Sequence, residues 1–180
     1  LQPAGTTAIA IHRLAGDGMD GLALEAASFL HQLLGGQVRS RPAMSWERWG
    51  MVHCDRLLHA PANLLDPGEE FTIDIALLTT DPAHPNLHPV QGLNKGGMLI
   101  LSGSEDDAEV WNRLPGGLRR SLTEKAVSVC VIPETGNDEA HRHARLLGGL
   151  FGALLRNGRI ELKTRRLINA HEEALSHLPE

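Results

Sequence analysis

Aromatic residues and cysteines are scarce in this sequence. Phe and Trp together make up 3% of its 180 residues, Tyr is absent, and Cys54 and Cys130 are its two cysteines. Two cysteines are too few for a disulfide framework, a four-cysteine zinc site or an iron–sulfur cluster. With so few aromatic side chains to stack on bases, a nucleic-acid surface is not expected. The predicted compartment is a reducing cytoplasm.

Excess positive charge and long hydrophobic runs are also missing. The 17 Lys and Arg residues are outnumbered by 22 Asp and Glu residues, which gives a formal net charge of −5 and disfavours nucleic-acid binding. No apolar run approaches the roughly 20 residues that a membrane span requires. The opening stretch, Leu1–Thr6, lacks the charged-then-apolar pattern of a signal peptide. We therefore expect a soluble chain with no membrane partner, folded as one domain over residues 1–180.

Short apolar strands alternate with helical segments along the chain. A strand is predicted over Thr7–Ala15, followed by a helix that has Asp20 as its N-cap and stops at Gly35-Gly36. This alternation predicts a single α/β domain that is doubly wound and Rossmann-like, with a mostly parallel sheet and helices on both faces. The further predicted strands are Gln37–Ala43, Met51–His59, Phe71–Thr79, Gly97–Ser102 and Ala126–Pro133, and the further predicted helices are Asn137–Arg156 and Arg165–Leu178.

Two of these segments carry more detailed predictions. Within Met51–His59 the residue types alternate as in a half-exposed strand, with Val52, Cys54 and Leu58 on an apolar face and His53, Asp55 and His59 on a polar one. Within Asn137–Arg156 three glycines would let the helix sit close to the sheet, at a helix-propensity cost of about 1 kcal/mol each. These glycines are Gly148, Gly149 and Gly152.

A glycine turn joins the first strand to the first helix. Gly16, Gly18 and Gly21 form the pattern G-x-G-x-x-G, which can present backbone N–H groups and a helix N-terminus to a phosphate. These three glycines are therefore the candidate cofactor-binding residues. Asp17 and Asp20 place negative charge inside the loop, where it would repel a pyrophosphate. A purely structural turn is the alternative interpretation.

The second predicted strand ends in arginines, which bears on the choice of nucleotide. An NAD site would have an acidic residue here for the ribose, whereas this sequence has Arg39 and Arg41. Arginines suit a 2′-phosphate instead. An NADP-dependent reductase therefore remains an alternative.

No metal site and no catalytic nucleophile are predicted. His84 and His88 are four residues apart, but the prolines around them prevent a regular helix. His141 and His143 are two apart on a predicted helix, which points them to different sides. The sequence has no G-x-S-x-G elbow, and Cys130 falls in a run predicted to be buried, where thiols are inert. No catalytic residue is therefore assigned.

Four stretches of the chain follow the order of motifs in a known family. Together they resemble the gamma subunit or domain of the 2-oxoacid:acceptor oxidoreductases, which include pyruvate:ferredoxin and indolepyruvate:ferredoxin oxidoreductases. In the first stretch, Met19 and Asp20 stand where the family usually has Gly and Gln. The first two stretches are Ile9–Leu22, similar to the opening strand and G-x-G-G-Q-G turn, and Met44–Val52, similar to a segment with Arg-x-Gly. The third is Ile73–Asp81, similar to a strand that ends near an acidic residue and is followed by a helix and then by Lys95-Gly96-Gly97, the K-G-G before the next strand. The fourth is His143–Leu155, similar to a hydrophobic-G-A-L helix.

The resemblance implies a doubly wound domain that is not itself the redox centre. In the family, thiamin diphosphate and the iron–sulfur clusters are carried by other subunits or domains, so this chain alone is expected to bind no cofactor and to be inactive. Coenzyme A is a further cofactor in some members, which the gamma part helps to hold. The implied partners are the catalytic subunits and, through the complex, ferredoxin or another electron acceptor. The implied substrate is a 2-oxoacid such as pyruvate, 2-oxoglutarate or an aryl pyruvate.

One segment is the candidate for partner contact and active-site closure. It consists of Ser45, Trp46, Glu47, Arg48, Trp49 and Gly50. Trp and Arg are the side chains most often found as interface hot spots. The alternative is that both tryptophans cover the domain's own sheet, since Trp is largely buried in many monomers. A nucleotide-free interaction domain outside this family is the remaining alternative function.

Overall fold

Six strands form one sheet in the computed structural model, which describes residues 5–43, 51–61, 72–103, 106–133 and 139–156. The strands are β1 (Thr7–Leu14), β2 (Gln37–Arg41), β3 (Val52–Ala60), β4 (Ile73–Leu78), β5 (Leu93–Gly103) and β6 (Ser128–Pro133). Their order is β2-β3-β1-β4-β5-β6. The pairs β1/β4, β4/β5 and β5/β6 are parallel, whereas β3 runs antiparallel to both β1 and β2. The predicted mostly parallel sheet is confirmed.

Helices cover both faces of the sheet. They are α1 (Leu22–Leu34), α2 (Asp107–Arg113), α3 (Gly116–Glu124) and α4 (Glu139–Arg156). On one face, apolar residues of α1 and α4 pack on Ile9, Ile75 and Ile100. On the other face, residues of α2 and α3 pack on Ala76 and Leu99. This three-layer arrangement confirms the predicted doubly wound, Rossmann-like fold.

Strand β4 shows why the central strands are almost uniformly apolar. All six of its residues are buried, because β1 and β5 flank it and helices or loops cover both faces. Ile73–Leu78 therefore matches the buried strand predicted from the run of β-branched and aliphatic residues. No helix in the described part of the chain is long and apolar enough to span a membrane.

The prediction for the faces of β3 is wrong. Its polar side, predicted to face solvent, is buried: His53 is 5% exposed, Asp55 1% and His59 6%. Each buried polar group of this kind needs a partner, and Asp55 accepts a hydrogen bond from Arg13 while His59 Nε2 donates to the carbonyl of Gly35 at 2.9 Å. The alternation of polar residues predicted an exposed face, but hydrogen-bond partners elsewhere in the fold compensate these side chains for the loss of hydration.

Three further local predictions are corrected. Asp20 does not cap α1: the N-cap is Gly21, with no side-chain hydrogen bond to the helix, and the Asp20 carboxylate pairs with Arg13 instead. Cys130 is only partly buried, because β6 lies at the edge of the sheet. The helix that the resemblance implies between Asp81 and Lys95 is not formed, because this proline-containing stretch consists of turns that lead into β5. The predicted helix Arg165–Leu178 falls outside the described residues.

One of the three helix glycines permits close packing. A Cβ on Gly149 would collide with the Ile132 side chain of β6, whereas a Cβ on Gly148 or Gly152 would meet nothing within 4 Å. Only Gly149 therefore has the packing role predicted for all three. Its absent side chain lets α4 lie directly on the edge strand.

Candidate functional site at the carboxyl end of the sheet

The glycine turn lies between β1 and α1, as the sequence predicts. Gly16 and Gly18 have φ angles of +78° and +77°, a backbone region in which glycine avoids the strain of a side chain. Between them, the Asp17 carboxylate folds back on the turn: Oδ1 accepts the N–H of Met19 at 2.9 Å and Oδ2 accepts the N–H of Leu14 at 3.1 Å. The anionic group bound at this turn is therefore the carboxylate of Asp17 itself.

The Asp17 carboxylate is also tied to the neighbouring strand. The hydroxyl of Thr79, just after β4, donates to Asp17 Oδ2 at 2.9 Å. Thr79 in turn donates its backbone N–H to the carbonyl of His12 at 3.0 Å. Three donors thus converge on one carboxylate, which leaves fewer N–H groups of the turn to receive a phosphate. Cofactor binding by Gly16, Gly18 and Gly21 stays a prediction, and this geometry weighs against it.

The start of α4 docks on the same turn. His143 donates Nε2–H to the carbonyl of Gly18 at 2.9 Å, and its Nδ1 lies 3.4 Å from Oε1 of Glu25 in α1. One residue earlier, the Arg142 guanidinium donates to the carbonyl of Thr79. Side chains of α4 therefore join the ends of β1 and β4.

A buried ion pair supports the turn from behind. Arg13 Nε donates to Asp55 Oδ2 at 2.7 Å, and both side chains are almost fully buried. A second nitrogen of Arg13 pairs with the more exposed Asp20. The other oxygen of Asp55 accepts the N–H of Ala43 at 2.8 Å. The single arginine thus connects β1, β3 and the end of the glycine turn.

The candidate partner segment, Ser45–Gly50, lies outside the described residues. Its two flanks are described, and both are attached to this region. The N–H of Ala43 is donated to Asp55, and the carbonyl of Met51 accepts the N–H of Ala15 at 2.9 Å. The segment's role in partner contact stays a prediction.

A crevice of about 600 Å³ opens beside the turn. It lies near the point where β1 and β4 are neighbours and the strand order changes direction. Strands β3 and β2 continue the sheet beyond β1, and strands β5 and β6 continue it beyond β4. Such a switch point, at the carboxyl ends of the strands, is where open α/β sheets bind ligands. Its lining residues are Asp17, Thr79, Thr80, Asp81, Pro82, Ala83, Leu101, Ser102, Gly103, Val110, Arg113 and Arg142.

Two carboxylates and two guanidinium groups give the crevice its charges. Asp17 is held by the three donors already described, and Asp81 Oδ1 accepts the N–H of Ala83 at 2.8 Å. Both carboxylates are thus partly satisfied by nearby donors. Arg142 extends from α4 and the exposed Arg113 from the last turn of α2. The two positive charges therefore come from helices that cover opposite faces of the sheet.

Two titratable groups with a shifted pKa, the buried His12 and the partly buried Cys54, lie on strands β1 and β3 and do not line the crevice. Burial lowers the pKa of His12 from 6.5 to about 4, and the positive charge of Arg56 adds to this effect against an opposing influence of Asp55. Burial raises the pKa of the Cys54 thiol, although a hydrogen bond from Arg56 partly opposes it. At neutral pH the imidazole is therefore uncharged and the thiol stays protonated. Neither is activated as a nucleophile or a general acid.

Within the described residues, no three His, Cys, Asp or Glu side chains are grouped closely enough to hold a metal ion.

The sequence located the glycine turn, but it did not single out Thr79, Arg113 or Arg142. The one available signal for Thr79 was its place directly after a buried strand, where ligand-binding residues of parallel sheets are found. Arg113 and Arg142 had no signal, because only tertiary packing brings α2 and α4 to the same crevice.

Comparisons with solved structures identify proteins with the same architecture. The pyruvate oxidoreductase subunit PORC of Thermotoga maritima superposes with a TM-score of 0.56 and 17% sequence identity, covering 97% of this chain and 86% of that one. The gamma subunit of a keto/oxoacid ferredoxin oxidoreductase from Geobacter sulfurreducens gives a TM-score of 0.54 at 17% identity, covering 98% and 87%. This chain shares their fold. No protein-family model matches the sequence, and no curated protein matches it.

Both structures belong to the kind of enzyme that the sequence motifs resemble. The doubly wound fold expected from that resemblance is thereby confirmed. At 17% identity this similarity is one of fold.

Proposed function

We propose that this chain is a gamma-type subunit or domain of a 2-oxoacid:acceptor oxidoreductase that uses thiamin diphosphate and iron–sulfur clusters. The complex would carry out the oxidative decarboxylation of a 2-oxoacid such as pyruvate, 2-oxoglutarate or an aryl pyruvate, with ferredoxin or another protein as electron acceptor. In this proposal residues 1–180 are one gamma-like domain that packs on the catalytic subunits and helps to close the active site. The chain by itself catalyses nothing.

The observation that carries the proposal is the meeting of three family-like stretches at one place. Ile9–Leu22 forms β1, the turn and the start of α1, Ile73–Asp81 forms β4 and the loop after it, and His143–Leu155 lies in α4. The bond from Thr79 to Asp17 joins the first two stretches, and the bond from His143 to Gly18 joins the first and third. Motifs that are weak separately therefore form one contiguous site, on a fold shared with two subunits of such enzymes.

The chemistry of the complex would come from cofactors held elsewhere. Thiamin diphosphate would stabilise the carbanion left by decarboxylation, and the clusters would carry the electrons away. The sequence has two cysteines, Cys54 and Cys130, and neither forms a disulfide. They are too few to ligate a cluster and suit a reducing compartment, so we place the complex in the cytoplasm. Coenzyme A remains a candidate cofactor of the complex.

We further propose that Ser45, Trp46, Glu47, Arg48, Trp49 and Gly50 contact the catalytic subunits. The test is the double substitution Trp46→Ala with Trp49→Ala. If the tryptophans are interface anchors, the thermal midpoint of the isolated chain stays unchanged while complex formation weakens by about 2 kcal/mol or more. If they belong to the core, the isolated chain itself loses about 3 to 5 kcal/mol per residue, which would remove the segment from the proposed interface.

The NADP-dependent reductase is disfavoured by the strand order. In a dinucleotide site the strand that follows the first helix lies next to β1, and its end meets the ribose. Here β3 lies between β2 and β1, so Arg39 and Arg41 are two strands, or roughly 10 Å, away from β1. A nucleotide-free interaction domain differs from the proposal only in its partners.

Isolation of the chain with its natural partners tests the proposal. The tagged chain is purified from its own source under anaerobic conditions, and the associated proteins are identified by mass spectrometry. We expect stoichiometric subunits that contain thiamin diphosphate and iron. Partners without either cofactor would assign the chain to the interaction-domain class instead.

A further inference from the structure

We propose that the crevice at the carboxyl end of the sheet binds a small organic anion, whose carboxylate or phosphoryl group is held by Arg113 and Arg142. The glycine turn contributes Asp17 to the lining of this crevice, but in this proposal the arginines and not the turn hold the anion. The inference does not depend on the chain being a gamma subunit. It rests on the size of the crevice, its position and the distribution of its charges.

The glycine turn itself is already occupied by an anionic group. The β1–α1 turn is the usual place for a phosphate in such folds, but here the Asp17 carboxylate already accepts the N–H groups of Leu14 and Met19. A ligand anion placed there would have to displace this carboxylate and would be repelled by it. Any anion that enters the crevice must therefore be held elsewhere.

Two arginines of the crevice lining, Arg142 and Arg113, have donors available for an anion. Arg142 is half-buried and is positioned by its bond to the carbonyl of Thr79, which uses only part of its five-donor guanidinium group. Arg113 is exposed at the opposite helix, and within the described residues its guanidinium has no hydrogen-bond partner. A carboxylate or phosphoryl group matches such planar, forked donors well.

The size and the lining of the crevice indicate what the rest of the ligand is like. A volume of about 600 Å³ falls within the range of small-molecule sites. Thr80 and Ser102 add hydroxyl groups to the lining, and Leu101 and Val110 add apolar surface. The second oxygen of Asp81 can accept a hydrogen bond from the ligand, since Ala83 engages the first. The crevice thus suits a compact molecule with one anionic group and a neutral, hydroxyl-bearing remainder.

Titration of the full-length, ¹⁵N-labelled chain by NMR tests this site, with inorganic phosphate and acetate as separate probes at constant ionic strength. We expect saturable shifts at the amides of Thr80, Ser102 and Gly103 and at the guanidinium groups of Arg113 and Arg142. Saturation by phosphate alone would identify the ligand group as phosphoryl, and saturation by acetate alone as carboxylate; either supports the site. No saturation at tens of millimolar of either probe would overturn it.

Substitutions separate the arginine pair from nonspecific attraction. Arg113→Gln should weaken binding of the saturating probe about tenfold, the usual effect of losing one charged hydrogen bond. Arg120→Gln removes the same charge from an exposed position on α3 outside the crevice and should leave binding unchanged. Because Arg142 also holds Thr79, Arg142→Lys is used there, and it should weaken binding while the chain stays folded. Equal affinities for Arg113→Gln and Arg120→Gln, or shifts confined to Gly16 and Gly18, would contradict the proposal.

Discussion

The hydroxyl of Thr79 donates a hydrogen bond of 2.9 Å to the carboxylate of Asp17, and so joins the end of β4 to the turn after β1. These two residues lie 62 positions apart in the sequence and meet at the switch point of the sheet. Their contact holds the Asp17 carboxylate inside the glycine turn, where it accepts N–H groups that could otherwise bind an anionic ligand. The turn is thus a structural joint between neighbouring strands, and the open space beside it is the crevice.

Replacing Asp17 tests whether its carboxylate takes the place of an anion. Asp17→Ala removes the acceptor from the N–H groups of Leu14 and Met19, and should lower the free energy of unfolding by about 1 to 3 kcal/mol. Sulfate can then occupy the vacated turn. In thermal melts, we expect sulfate to raise the midpoint of the variant more than that of the unaltered chain, relative to chloride at equal ionic strength. Equal increases would mean that the turn does not bind anions.

The buried His12 makes stability depend on pH. Its folded-state pKa of about 4 lies below the ordinary value of 6.5, so between these values the unfolded chain binds a proton that the folded chain does not. Stability is therefore lost as the pH falls from about 6.5 to about 4, by roughly 3 kcal/mol in total. Urea unfolding of His12→Leu should show a flatter acid limb than the unaltered chain. The control variant His88→Gln, at an exposed position, should keep the acid limb of the unaltered chain. If His12→Leu also keeps that limb, His12 is not the source of the pH dependence.

The pair of Arg13 and Asp55 should be strongly coupled. Asp55→Ala leaves the buried guanidinium without its main partner, and Arg13→Ala leaves a carboxylate that is 1% exposed. Each change should cost about 3 to 5 kcal/mol, whereas the double variant Arg13→Ala with Asp55→Ala should cost less than the sum, since both charges are removed together. Chemical unfolding of the three variants forms a mutant cycle. Additive losses would show that the two side chains do not act as a pair.

Two neighbouring glycines of α4 should respond in opposite directions to the same substitution. Gly149→Ala places a methyl group against Ile132 and should destabilise the fold by about 1 to 3 kcal/mol. Gly148→Ala meets nothing within 4 Å and should stabilise it by about 0.5 to 1 kcal/mol through helix propensity. Thermal melts of both variants measure the difference. A stabilising Gly149→Ala would show that α4 does not lie against β6 as described.

Local patterns predicted the framework of this fold well. The run Phe71–Thr79 predicted a buried strand, found as β4 over Ile73–Leu78, and the glycines after β1 predicted a turn, because both signals depend on neighbouring residues. The buried polar face of β3 was missed since its justification, the bond between Arg13 and Asp55, joins residues 42 positions apart. Arg113 and Arg142 were missed for the same reason: no pattern near either residue indicates that α2 and α4 share a crevice. Tertiary partners decide which polar residues are buried or functional.

Reconstitution of the enzyme tests the central claim most directly. The purified chain is combined with the catalytic subunits isolated alongside it, and 2-oxoacid-dependent reduction of a viologen dye is followed anaerobically. The account predicts no turnover by the chain alone, little by the catalytic subunits alone, and full activity when both are present. Turnover by the isolated chain, or catalytic subunits equally active without it, would contradict the account.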